Sequence, residues 1–144
     1  MEGIERAVRE WLDVCPQKPV GKVDAEFLPT GGGLTVATAQ AAKIQKRFIL
    51  GGYEGQVQFA VVYRLAATDT EERLAADEAL ERMGAWAEAR ENWPSLGEGF
   101  RIRRVERTGA ALKERHANGM EDHQMTVTVT YEGGIPPALC ATPL

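Results

Sequence analysis

The residues of this sequence with chemistry to offer are two histidines, two cysteines, the acidic groups of its middle and a run of arginines. His116 and His123 could act as general bases or metal ligands, since imidazole titrates near neutrality and binds metals through either ring nitrogen. Neither stands at zinc spacing from a partner, and HExxH, GxSxG, CxxC and a phosphate loop closed by Gly-Lys-Ser or Gly-Lys-Thr are all absent. His123 alternates with Met125, Val127, Val129 and Tyr131, so it reads as a histidine on the apolar face of a strand. His116 falls in a polar stretch and reads as solvated. Cys15 ends an apolar helical stripe beside Asp13, where cysteine serves as a small hydrophobe rather than a reactive thiolate. Glu71, Glu72, Asp77, Glu78, Glu81 and Glu88 mostly decorate the exposed side of one helix, and no acid–base pair stands out among them. Gly31-Gly32-Gly33 reads as a turn. No catalytic residue, metal site or cofactor is expected.

The arginines are less ordinary. Arg101, Arg103, Arg104, Arg107, Lys113 and Arg115 face only Glu106 and Glu114 in their own stretch, and Lys43, Lys46 and Arg47 add to the basic side. If these segments are neighbours, a basic band lies on a sheet while the helices stay acidic. Such a split can pair one subunit's sheet with the next subunit's acidic helix, border a channel for DNA, or remain a solvated surface. The net charge of −4 argues against nucleic-acid binding through whole-protein charge.

These residues sit on elements that the hydrophobic pattern places. At 144 residues, with 44% apolar and 26% charged residues, the chain is expected to form one domain with a single core over residues 1–134, followed by a proline-bearing tail over 135–144. Ile4, Val8, Trp11, Leu12 and Cys15 fall at helical spacing and Pro16 stops that helix. Val23, Ala25 and Phe27 suggest a short strand, and Leu34, Val36 and Thr38 another. Residues 42–68 read as a hairpin that forms the centre of the sheet. Ile44, Lys46, Phe48 and Leu50 alternate in its first arm and Val57, Phe59, Val61, Tyr63 and Leu65 in its second, with the reversal in residues 51–55. A second helix starts at a capping box, Thr68 to Glu71 or with Asp69 or Thr70 as cap, buries Ala76, Leu80, Met83 and Ala87, and ends before Pro94. Then come a strand over 100–109, an excursion over 110–119, and a last strand with one apolar and one threonine-rich face. The apolar spacing Phe100, Ile102, Val105 slips by one, which predicts a bulge near Arg103 and Arg104. The expected class is α+β: a mostly antiparallel sheet with two helices packed on one face, anchored by Trp11, Phe48, Phe59, Trp86 and Tyr131. No apolar run approaches the roughly 20 residues that span a bilayer. With no signal-peptide pattern, the cysteines are expected reduced in a cytoplasm.

Four stretches in this order resemble the phage minor capsid family, whose fold is similar to phage tail-terminator and head–tail completion proteins. They are Glu10-Trp11-Leu12 with Cys15-Pro16, residues 46–52 running into a double glycine, Trp86 with Trp93-Pro94-Ser95-Leu96, and the strand from Met125 to Tyr131. The resemblance covers about residues 4–132; the glycine-rich segment at 31–33, the apolar pair Ile49-Leu50 and the tail depart from it. It implies a structural protein of a phage or prophage virion, assembled in a bacterial cytoplasm as a commonly hexameric ring at the tail end or head–tail junction. Its partners would be its own copies, the tail-tube protein and the connector proteins, with DNA passing through the channel. Lys43, Lys46, Arg47, Arg101, Arg103, Arg104 and Arg107 are then the candidates for the subunit interface or channel lining. Two readings stand against it: a small-molecule-binding α+β domain, and a host module that binds one protein through its threonine face.

Overall fold

A computed structural model describes residues 2–19, 23–25, 32–49, 51–97 and 99–134 of the chain. Helix α1, Glu2–Asp13, buries Ile4, Val8, Trp11 and Leu12, and Cys15 just beyond it is buried as well. Strand β1, Val23–Ala25, pairs in parallel with the start of β2, Gly33–Arg47. β2 turns back into β3, Tyr53–Ala66; helix α2, Thr70–Glu88, follows, and then β4, Arg101–Arg107, β5, Ala111–Arg115, and β6, Met120–Gly133. The sheet order is β1-β2-β3-β6-β4, with β5 also beside β6, and every pairing except β1 with β2 is antiparallel. The fold is therefore α+β, as the pattern of elements implies. Among the described residues no helix is long and apolar enough to cross a membrane.

β3 and β6 pair residue for residue from Tyr53 opposite Gly133 to Ala66 opposite Met120, with no shift of register. Because strand side chains alternate, one face of this ribbon collects Val57, Phe59 and Val61 against Val129, Val127 and Met125, all buried. Both helices lie on that face. Trp11 of α1 meets Trp86 of α2 with ring centroids 5.4 Å apart. The opposite face carries Gln56, Gln58, Ala60, Thr126 and Thr128, and no described helix covers it. β3 occupies one edge of β6 along its whole length. β4 and β5 share the other, opposite residues 127–132 and 121–124, as one interrupted strand.

Several boundaries differ from the pattern-based expectation, each for a local reason. β2 is one strand rather than two, since it carries bulges between Thr38 and Gln40, Gln40 and Lys43, and Ile44 and Lys46. Each bulge inserts a residue and flips the alternation, which disguises a continuous strand. The reversal lies earlier than residues 51–55: Phe48 N–H donates to the Gly52 carbonyl at 3.1 Å, and Tyr53 through Gly55 already belong to β3. The stretch around 111–115 is a strand, β5, whose side chains are all exposed, so no apolar alternation marks it. The α2 cap is Asp69, which accepts from Glu72 N–H, while Glu72 reaches back to Thr68; this is the expected box moved by one residue. α2 stops at Glu88 ahead of Pro94 because side chains take its last carbonyls. Asn92 Nδ2 donates to the Trp86 carbonyl and Trp93 Nε1 to that of Ala87. The bulge expected near Arg103 is present, between Ile102 and Arg104. Of the short strand over 23–28 only 23–25 is described, and the tail over 135–144 lies outside the described residues.

Tyr131, buried on the helix face, lies over Gly55, its register partner. A Cβ at Gly55 would stand 2.6 Å from the ring carbon Cζ, so the ring uses the space that a side chain would fill. Burial pushes the Tyr131 hydroxyl up to about 12, which makes it a packing element rather than an acid. Gly55→Ala should lower the unfolding free energy by about 1–3 kcal/mol through overpacking, seen as a lower urea midpoint. An unchanged midpoint would show that Tyr131 is free to swing away.

Candidate assembly surface

The arginines of β4 meet carboxylates held by the central ribbon. Glu132, nearly buried on β6, accepts from Arg101 Nε at 2.7 Å and from Arg103 Nη1, and Arg103 Nε lies 3.7 Å from Glu54 of β3. Arg104 pairs with Glu106 at 2.9 Å on the surface of the same strand. Arg107 leaves the band entirely. Its register partner is Val127, so it points to the helix side, where it donates to Glu81 and, at 2.7 Å, to Glu88 of α2. Gly84 makes room for it, since a Cβ there would sit 2.2 Å from Arg107 Cδ. Arg107 thus ties helix to sheet within one chain.

The basic segments are not neighbours: β3 and β6 stand between β2 and β4. Three strand spacings put them about 14 Å apart. Register still lines them up on one face at one end of the sheet, as Lys46, Glu54, Glu132 and Arg101 across four strands. At the β4 side the cations are balanced. At the β2 side they are not: Lys43, Lys46 and Arg47 are exposed and have no ion-pair partner among the described residues. The strand that carries them is paired by β1 only at Leu34–Val36, so its outer edge beyond residue 36 has no described strand beside it. Helix α1 touches that edge through Glu5, which accepts from Ala42 N–H at 2.9 Å, and through Arg9, which donates to Thr38 Oγ1 at 3.2 Å. At the tip, Phe48 is 37% exposed and Ile49 fully so. Phe48 therefore stands outside the core it was expected to anchor, whereas Trp11, Phe59 and Tyr131 are buried and Trp86 packs against the core.

Both histidines sit in ion-pair clusters. His116 is not simply solvated: its Nε2 lies 2.9 Å from Asp122 Oδ2 and 3.2 Å from Arg64 Nη2. Arg64 grips Asp122 through two bonds, of 2.7 and 3.0 Å. Glu114, His116 and Asp122 bring ligand-type atoms within 4.8 Å of one another, but the Arg64 guanidinium already supplies the positive charge of that cluster. His123 is fully buried, with Nδ1 2.7 Å from Asp77 Oδ1 and Nε2 3.3 Å from Glu121 Oε1, while Arg73 of α2 also holds Glu121. Asp77 and Glu81 are accordingly tied to the sheet rather than merely decorating the exposed face of α2. The carboxylates Glu121, Asp122 and Glu132 were missed by sequence reasoning. Their signal was acidic residues at both ends of an otherwise apolar and threonine strand, next to arginine-rich segments.

These pairs hold carboxyl groups below their ordinary values of 3.8 and 4.5. The hydrogen bond from Arg64 does so for Asp122, and the Ala110 N–H with Arg107 for Glu81. Burial alone would raise Glu132 and Glu121, but the bonds from Arg101 and Arg103, and from Arg73 and His123, outweigh it. A carboxylate depressed in the folded state contributes stability that is complete above its unfolded value and disappears as pH falls through the folded one. Thermal stability should therefore fall steeply below about pH 4.5, and Asp122→Asn or Glu132→Gln should be less stable at neutral pH with a shallower acid decline. An acid limb identical to the parent's would show that these pairs add nothing.

No family model matches this sequence, and no curated protein sequence is significantly similar to it. Among solved structures, a chain from the virion of a native gene transfer agent particle is similar, with a TM-score of 0.59 and 15% sequence identity. The match covers 90% of this chain and 98% of that one. At such identity the likeness is one of fold, and it extends over nearly the whole of both chains.

Proposed function

We propose that this chain is a non-enzymatic structural protein of a phage or phage-like virion, forming a ring at the tail end or head–tail junction. The observation that carries this reading is the near-complete fold match to a chain of a gene transfer agent virion. The anatomy suits such a role. The sheet buries one face under its helices, and its other face is polar, with glutamines and threonines at the centre and charged pairs toward both ends. The imidazoles that could do chemistry are tied into carboxylate clusters. A contact between two different patches, repeated around an axis, closes into a ring when its rotation divides evenly. Its partners are further copies of this chain, a tail-tube protein and connector proteins, with DNA passing through the opening without sequence readout. Lys43, Lys46 and Arg47, without an ion-pair partner among the described residues, are the charges left to face a neighbour or the channel.

Light scattering on the purified protein should report a closed oligomer, and negative-stain images should show rings alone or on tail-tube ends. Tails assembled without the protein should lose their uniform length. Tails of one length in its absence would rule out the terminator role.

A further inference from the structure

We infer that the tip of the β2–β3 hairpin of one copy docks into a groove between α2 and β3 of the next copy; this rests on the ring reading above. The groove is lined by Tyr63, Leu65, Glu72, Ala75, Ala76 and Ala79 and holds about 250 Å³. That is below the roughly 300–1,000 Å³ usual for small-molecule pockets and suits a side chain or two. Its lining is apolar except for Glu72. Glu71, Glu72 and Glu78 are exposed on the first half of α2, and Leu74 beside them is 55% exposed. Arg82, one turn on, marks where that acidic stretch ends.

The hairpin tip has the complementary character. Phe48 and Ile49 offer apolar surface, and Lys43, Lys46 and Arg47 offer exposed positive charge with no ion-pair partner among the described residues. Bonds between Phe48 and Gly52, and between Gly51 and Phe48, hold the turn in shape, so docking costs little ordering entropy. The chain cannot fill its own groove with this tip. Tyr53 lies at the tip end of β3 and Leu65 at the groove end, about 40 Å apart at strand rise. The contact therefore joins opposite ends of the molecule and is heterologous, as a ring requires. Residues 135–144 are a poorer occupant because they carry no lysine or arginine to meet the carboxylates of α2.

The test uses the full chain and reads assembly against concentration by light scattering, with circular dichroism melts confirming that each variant is folded. Lys46→Glu with Arg47→Glu should need at least about tenfold more protein to assemble, as should Glu71→Lys with Glu78→Lys, and the four changes together should restore assembly. Ile49→Cys with Ala75→Cys, in a Cys140→Ser background, should give a ladder of chains linked by disulfides after oxidation with copper–phenanthroline. If the parent assembles but the charge variants match it and no ladder forms, the docking is overturned and the ring reading stands. If Ala75→Cys alone links to Cys140 within a chain, the tail fills the groove and the docking is again overturned. A parent that stays monomeric at every concentration overturns both.

Discussion

The uninterrupted pairing of β3 with β6 is the constraint on which the rest of this molecule depends. It runs through both strands without a shift, so side-chain parity is kept from one end to the other. That parity puts Val57, Phe59 and Val61 with Met125, Val127 and Val129 on one face, each worth about 1.5–3 kcal/mol when fully buried. α1 and α2 can cover that face because it is apolar through its centre, and where His123 and Glu121 follow, Asp77 and Arg73 of α2 meet them. A slip of one residue would present threonine and glutamine to the helices and the apolar ladder to water. Irregularity is instead pushed outward, into the three bulges of β2 and the single one of β4.

Charge follows the same plan. The ends of the ribbon carry carboxylates, Glu132 and Glu54 at one and Glu121 and Asp122 at the other, and each attracts arginines from a neighbouring element. Arg101 and Arg103 bind the β4 edge to the ribbon, Arg73 binds α2 to it, Arg107 of β4 binds α2 from beside it, and Arg64 of β3 closes the cluster around His116. Breaking such a partly buried pair leaves an uncompensated charge, so the pairs fix geometry even where their net stabilisation is small. What the plan leaves over is the distal half of β2.

The elements that were legible in the sequence are those with unbroken periodicity. The stripe of α1, the stripe of α2, the ladder of β3 and the two faces of β6 all follow from alternation or helical spacing, and the slip at Arg103 correctly signals a bulge. The illegible parts share one physical cause: their structure is set by neighbours rather than by their own pattern. β2 hides its continuity behind bulges, and β5 has no buried face to reveal it. Gly55 looks like a turn residue because nothing local announces the Tyr131 ring that needs its space. His116 looks solvated because Asp122 and Arg64 reach it from other strands. In the candidate surface, Lys43, Lys46 and Arg47 were readable as basic, but their lack of ion-pair partners among the described residues was not, since balance depends on which carboxylates the register brings near.

The distal part of β2, which has no described strand on its outer side, raises the question of how such an edge avoids pairing with any other chain. Its outer side beyond residue 36 offers backbone donors and acceptors to whatever strand arrives. Three bulges interrupt the even spacing that a long added strand would need, Glu5 already takes one donor, and Lys43, Lys46 and Arg47 repel a like-charged copy of the same edge. Edge-to-edge pairing between two copies would also set these cations against one another. A neighbour approaching with carboxylates escapes that repulsion, and the exposed half of α2 presents them. The features that protect the edge thus disfavour indiscriminate strand addition, and they leave an acidic surface as the complementary one, as the docking proposed above requires.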